Sequence, residues 1–226
     1  MNRWLNSGTG EGRVQKLISL GVDRETAELS VGDELDWRPI RSESHREAAI
    51  LFLPCGGLYA ASLHLLEKTD HGWHVTDSVG FDCHYDESVS FETARLRSPK
   101  SDDVLVHHEC EAHGTGFVQQ NLNVFAVVSS KFKLLLNTEE IVEASDLPVG
   151  SYEIHQRSSF AQIPDAGSGS RAIEETRCAT VNGKLTIYKR QFLWSAVKFR
   201  FLPSKLVEVE RIDKKSGAAC RASSNP

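Results

Sequence analysis

Within the stretch His107 to Gly114, read HHECEAHG, stand three histidines, two glutamates and a cysteine. Imidazole, carboxylate and thiolate are the side chains that bind transition metals or move protons. The alternating character of DDVLVHHECEAHG predicts a strand, whose side chains point alternately to opposite faces. His107, Glu109, Glu111 and His113 then share one face, and Val104, Val106, His108, Cys110 and Ala112 share the other. The second face is the apolar one and is expected to meet the core. Along the first face successive side chains are rooted about 7 Å apart, close enough for imidazole and carboxylate to converge on one ion. A metal site would need a further ligand from another strand, for which His84, His155 and Asp82 are the candidates. Polar groups are also what the wet side of an antiparallel sheet requires without any function. The expectation is therefore a solvated outer stripe with no metal and no cofactor, with the His107-Glu109-Glu111-His113 face as the metal-binding alternative.

A second set of residues could do nucleophilic chemistry. In LPCGGLYAASLHLLEK, a helix starting at Leu58 would place Cys55 at its N-terminus, where the dipole favours the thiolate. Cys55-Gly56-Gly57-Leu58 resembles the Cys-Ser-Gly-Leu entry of the NlpC/P60 peptidase family, departing from it at Gly56, where the family carries Ser. The likeness covers about four residues and a downstream Asp-Asp-Val-Leu-Val strand. It implies a hydrolase with Cys55 as nucleophile and His113 as base, though no second polar residue stands out to orient that histidine. The competing reading is a turn at Pro54 to Gly57. A hairpin joining Leu58–Glu67 to Trp73–Val79 through Asp70 to Gly72 accounts for the same residues, so a strand is expected here rather than a helix.

Asp82, His84, Tyr85 and Asp86 fall in a polar stretch between strands and are the candidates for ligand contact. A calcium loop is not completed there, since the glycine of its sharp turn is missing. Gly114-Thr115-Gly116 lies between strands with no following helix to hold a phosphate. No Gly-x-Ser-x-Gly elbow is present.

The elements that must position these residues are mostly strands. Val14, Leu17, Ile18 and Val22 are spaced for one helix face, Gly21 reads as its stop, and Asp23 as the N-cap of a second short helix through Leu29. From Ala48 onward short alternating or apolar runs are separated by turn residues, with Ser129-Ser130-Lys131 and Asn182-Gly183 as hairpin signals. The predicted fold is mostly β: antiparallel meanders forming a curved sheet, a sandwich or propeller-like blades, with a short N-terminal helical hairpin. Residues 11–213 are expected to form a single β-rich domain, with the helical hairpin at about 13–30 and strands at about 48–212. Residues 1–10 and 214–226 are expected to be flexible. IEETRCATV and LVHHECEAH are built alike, with Cys178 and Cys110 in comparable places.

A net charge of −5 and the lack of a basic cluster interleaved with aromatics argue against a nucleic-acid partner. No apolar run is long enough for a membrane-spanning helix. The N-terminus has no apolar signal region; on the assumption that a signal has been removed, an extracytoplasmic location, secreted or periplasmic, is expected. Five cysteines without a C-x-x-C pair exclude a zinc ribbon, and each reads first as a small buried hydrophobe, with one or two disulfide bridges as the alternative. With no complete catalytic constellation, the expected function is a non-enzymatic β-rich module binding a protein or small-molecule partner. The Cys55/His113 hydrolase and the metal-binding protein are the alternatives.

Overall fold

The computed structural model describes residues 1–32, 34–43, 47–54, 61–81, 87–112, 117–144, 154–164, 170–181 and 184–212. Three helices come first: α1 (Asn2–Leu5), α2 (Gly10–Ser19) and α3 (Arg24–Leu29). Thr9 caps α2 by accepting from the Gly12 amide, and Asp23 caps α3 by accepting from the Thr26 amide at 2.9 Å. Gly21 turns the chain between them at φ +93°, a conformation that suits glycine. The residues before α2 are expected to be mobile, but they form α1 and are tied down. Leu5 is buried, the Asn2 side chain accepts from the Trp37 amide, and Asn6 bonds both backbone groups of Leu35.

Strands β1 (Asp36–Arg41), β2 (Glu47–Leu53), β3 (Ala61–Thr69) and β4 (Gly72–Phe81) make a four-stranded antiparallel meander. The β3–β4 hairpin is the one expected from sequence, so Ala61–Thr69 is strand, not helix. The Pro39 strand β1 lies at the sheet's edge, where a missing N–H is tolerated. One face of this sheet, Ala49, Leu51, Leu53 and Leu66, packs under Val14, Leu17, Leu20, Val22 and Ala27 of the helical segment. A bulge at Thr76 switches β4 between faces. Trp73 and Val75 meet the helices, whereas Val79 and Phe81 after it face the second sheet.

The second sheet contains β5 (Glu87–Ala94), β6 (Asp103–Ala112), β7 (Phe117–Val128), β8 (Lys131–Ala144), β9 (Ile154–Pro164), β10 (Arg171–Val181), β11 (Lys184–Ser195), β12 (Arg200–Pro203) and β13 (Val207–Ile212). It runs in sequence order from β5 to β12, and β13 shares the outer edge of β11 with β12. Ser129 and Ser130 turn β7 into β8 with both φ positive, the two-residue connection that matches strand twist.

Ile50, Leu63 and Leu65 of the first sheet pack against Val104, Val106 and Phe125 of the second, which makes a sandwich over β5–β7. Two part-buried contacts pin the sheets together: Ser130 Oγ donates to Glu67 Oε1 at 2.8 Å, and the Phe132 amide donates to Asp77 Oδ2 at 2.7 Å. Beyond β7 the second sheet curls around a core of its own. Leu105, Leu122 and Val124 meet Leu136, Ile173, Phe192 and Phe201 in one cluster. The curl stops short of a closed barrel. β8 pairs with β9 only through Ile141–Ala144, leaving the edge of Leu134–Thr138 facing β12 across a slot. Of the arrangements the sequence allows, the chain adopts a curved sheet within a sandwich, because the strands are continuous neighbours rather than separate blades.

Candidate functional site

β6 is buried on both faces along its first half. Val104 and Val106 point into the sandwich, and His108 lies edge-on to Phe81 at 5.5 Å between ring centroids. Leu105 points the other way, into the curl. His107 and Glu109 follow Leu105 on that face and are half-buried, beside the exposed Ser90 and Ser88 of β5, so the expected solvated stripe is only partly open to water.

The partner that reaches His107 is one the sequence did not nominate. His107 Nδ1 donates to Glu140 Oε2 at 2.7 Å, with the two side chains 25% and 15% exposed. Asn121 pairs with Glu139 and the neighbouring Gln120 pairs with Ile141, so Glu140 is the extra residue of a β-bulge in β8. The hydrogen bond to Glu140 holds the His107 pKa above its ordinary value; burial opposes this, and the charges of Glu140 and Glu92 add to it. His107 is therefore an imidazolium donor over a wider pH range than a free histidine. Glu109 shares its strand face by register, opposite Ser88 and Gln120.

Further along the same inner surface stands a network on β9, β10 and β11. Glu175 is fully buried; its Oε1 accepts from Ser158 Oγ at 2.7 Å and Arg177 Nε at 2.8 Å, and its Oε2 accepts from Arg190 Nε. Arg190 Nη2 donates to Thr138 Oγ1 at 3.2 Å across the slot, and Arg177 Nη1 donates to Gln156 Oε1 at 3.3 Å. Register makes these neighbours: Glu175 pairs with Arg190 on one side and Phe160 on the other, and Arg177 pairs with Ser158. Two guanidiniums on one buried carboxylate leave that cluster positive. Charges removed from water are costly unless paired, so a curled sheet gains no stability from such a cluster over apolar residues.

The slot itself is a cavity of about 470 Å³. Thr138 and Arg190 join it to the network, Arg200 stands at its outer lip, and Leu136, Phe192 and Phe201 supply its apolar wall. No carboxylate lines it.

The remaining sequence candidates divide as follows. Cys110 is disulfide-bonded and half-buried, and Cys178 is disulfide-bonded and buried, so neither is the plain buried thiol expected of it. Glu111 sits in β6 opposite Val118, and its side chain lies outside the described residues. Cys55, Asp82, His84, Tyr85, Asp86 and His113 also lie outside them, as does the side chain of His155. Among the described residues no three His, Cys, Asp or Glu side chains gather as metal ligands. The structure adds a pair of its own, Ser62 Oγ 2.9 Å from His64 Nε2, on the face of β3 covered by the helices. His64 is buried and its pKa is pushed down to about 4 by burial, with the Asp23 charge opposing. Buried on the face packed under the helices, it is a core histidine. Glu140, Glu175, Arg177 and Arg190 were the residues missed. The signals for the last three were the alternating EETR and YKRQF patterns, which place charges on one strand face. No protein-family model, no curated protein and no solved structure matches the chain, which leaves these side chains to carry the functional argument.

Proposed function

We propose that the chain is a non-enzymatic binding protein that takes a small organic anion with an apolar body into the slot between β8 and β12. The observation carrying this reading is the lining of that slot: two guanidiniums, Arg190 and Arg200, above an apolar wall and no carboxylate. Arg190, which lines the slot, is held by buried Glu175 through Nε and by Thr138 through Nη2, which fixes its planar fork. The volume lies within the range of about 300–1,000 Å³ usual for small-molecule pockets. Disulfide-bonded Cys110 and Cys178 favour an oxidising compartment for this activity.

Trp194 lies 5.5 Å from the Phe201 ring on the pocket wall and makes tryptophan fluorescence a natural readout. Titration with octanoate should give a saturable change, with 1-octanol, the same body without the charge, binding at least about tenfold more weakly, equivalent to 1.4 kcal/mol. Arg200→Gln, at an exposed position, should weaken octanoate by a similar factor. Equal binding of acid and alcohol, or an Arg200→Gln protein indistinguishable from wild type, would overturn the proposal.

A further inference from the structure

We infer that a second cleft, where the edges of the two sheets meet, is a binding site for the phosphate group of a small molecule. Three arginines from three distant parts of the chain converge there: Arg41 at the end of β1, Arg95 just after β5, and Arg171 at the start of β10. The cleft has a volume of about 600 Å³.

Its frame is fastened by backbone bonds. The Arg41 amide donates to Asp102 Oδ2 at 2.8 Å, and the Asp102 amide donates to the Arg41 carbonyl at 2.9 Å. The Arg171 amide donates to the Leu96 carbonyl at 2.6 Å. These bonds set where the three side chains leave the main chain, so their convergence is a property of the fold.

The charges in the cleft do not balance. Asp102 is its one carboxylate, and it is committed to the Arg41 amide and to Arg95, whose Nε lies 3.4 Å from Oδ1. Arg171 Nη1 donates to the neutral Gln162 side chain at 3.3 Å. Among the described residues the Arg41 guanidinium has no carboxylate partner. The cleft thus carries two positive charges in excess, in a chain whose net charge is −5. Like charges gathered in one cleft repel, and an acidic chain has carboxylates to spare for neutralising them. A phosphate monoester brings close to two negative charges at neutral pH and acceptor oxygens for guanidinium forks. The arginines are exposed, so each alone is worth little; three directed at one ligand are worth more than their sum as solvated charges. Ile40 and Ala94 give the cleft an apolar side against which an organic body can lie.

This site shares no residue with the slot between β8 and β12, so the two proposals fail separately. Calorimetric titration of the full chain at low ionic strength, with inorganic phosphate, glucose 6-phosphate and glucose as probes, tests it. Saturable binding of either phosphate, none of glucose, and at least about tenfold weakening by Arg41→Gln and by Arg171→Gln are expected. Arg200→Gln should leave phosphate binding unchanged. Tighter binding of the sugar phosphate identifies an ester as the source of the group, and equal or tighter binding of inorganic phosphate identifies the free ion. All three substitutions are at exposed positions, and thermal melts check that they fold. Neither phosphate saturating, or folded Arg41→Gln and Arg171→Gln proteins both binding like wild type, would overturn the inference.

Discussion

His107 and Glu140 meet at 2.7 Å across an intervening strand: register places His107, Leu122 and Thr138 side by side, and Glu140 follows Thr138 two residues on. Glu140 is itself the extra residue of the β8 bulge, at the register shift between Gln120 and Asn121.

That pair sets a pH dependence. The His107 pKa is raised in the fold above the ordinary histidine value of 6.5. Its contribution to stability is therefore complete below about pH 6.5 and is lost as pH rises through the folded-state value. Chemical denaturation of wild type and Glu140→Gln should differ by about 1.5 kcal/mol at pH 6, the scale of a hydrogen bond to a charged group, and by less at pH 9. A difference that stays constant with pH would show that the charge on His107 plays no part.

His64 works in the opposite sense. Its pKa falls from 6.5 unfolded to about 4 folded, so the fold holds it neutral. Stability present above pH 6.5 should drain away as pH drops toward 4, by roughly 3 kcal/mol over that interval. His64→Leu should flatten this acid slope, and NMR titration should find the imidazole uncharged at pH 5. A His64 resonance that titrates near 6.5 would contradict the burial argument.

Glu175 is the carboxylate shared by two guanidiniums inside the curl. Glu175→Ala leaves both facing each other without a counter-charge, and urea unfolding should show a loss of about 3–5 kcal/mol. Ser158→Ala, which removes one neutral donor from the same oxygen, should cost only about 1 kcal/mol. Similar losses for the two would mean that packing, not charge, dominates this cluster.

Asp103 organises the connection from β5 to β6. Its fully buried carboxylate accepts from the Leu96 and Arg97 amides and pairs with Arg97 Nε at 2.6 Å, while the Arg97 guanidinium lies over the Trp194 and Phe199 rings. Burial raises the Asp103 pKa even with Arg97 beside it, the mark of a desolvated pair. Asp103→Asn should destabilise the protein by about 3 kcal/mol and speed hydrogen exchange at the Leu96 and Arg97 amides. Unchanged exchange there would place the cost elsewhere.

Cys110 and Cys178 are disulfide-bonded, so at most three of the five cysteines should react with a thiol reagent in unfolded, unreduced protein. Reduction should then lower stability by about 2–4 kcal/mol. Five reactive thiols in protein made without reductant would contradict both the bonding and the oxidising compartment proposed for it.

The sequence by itself determined the local elements. The spacing of Val14, Leu17 and Val22, with Gly21 and Asp23 as punctuation, sufficed for the helical hairpin because helix faces and caps are written within a few residues. Alternation sufficed for β6 and for the separation of His107 and Glu109 from Val104 and Val106, since opposite faces follow from strand geometry alone. What alternation cannot say is what each face meets. Only the tertiary structure left His107 half-buried, and only pairing across β7 supplied Glu140, thirty-three residues away along the chain. Arg41, Arg95 and Arg171 are scattered singles in the sequence, and register and curl bring them to one cleft. Local periodicity is a short-range property, whereas charge clustering depends on long-range pairing.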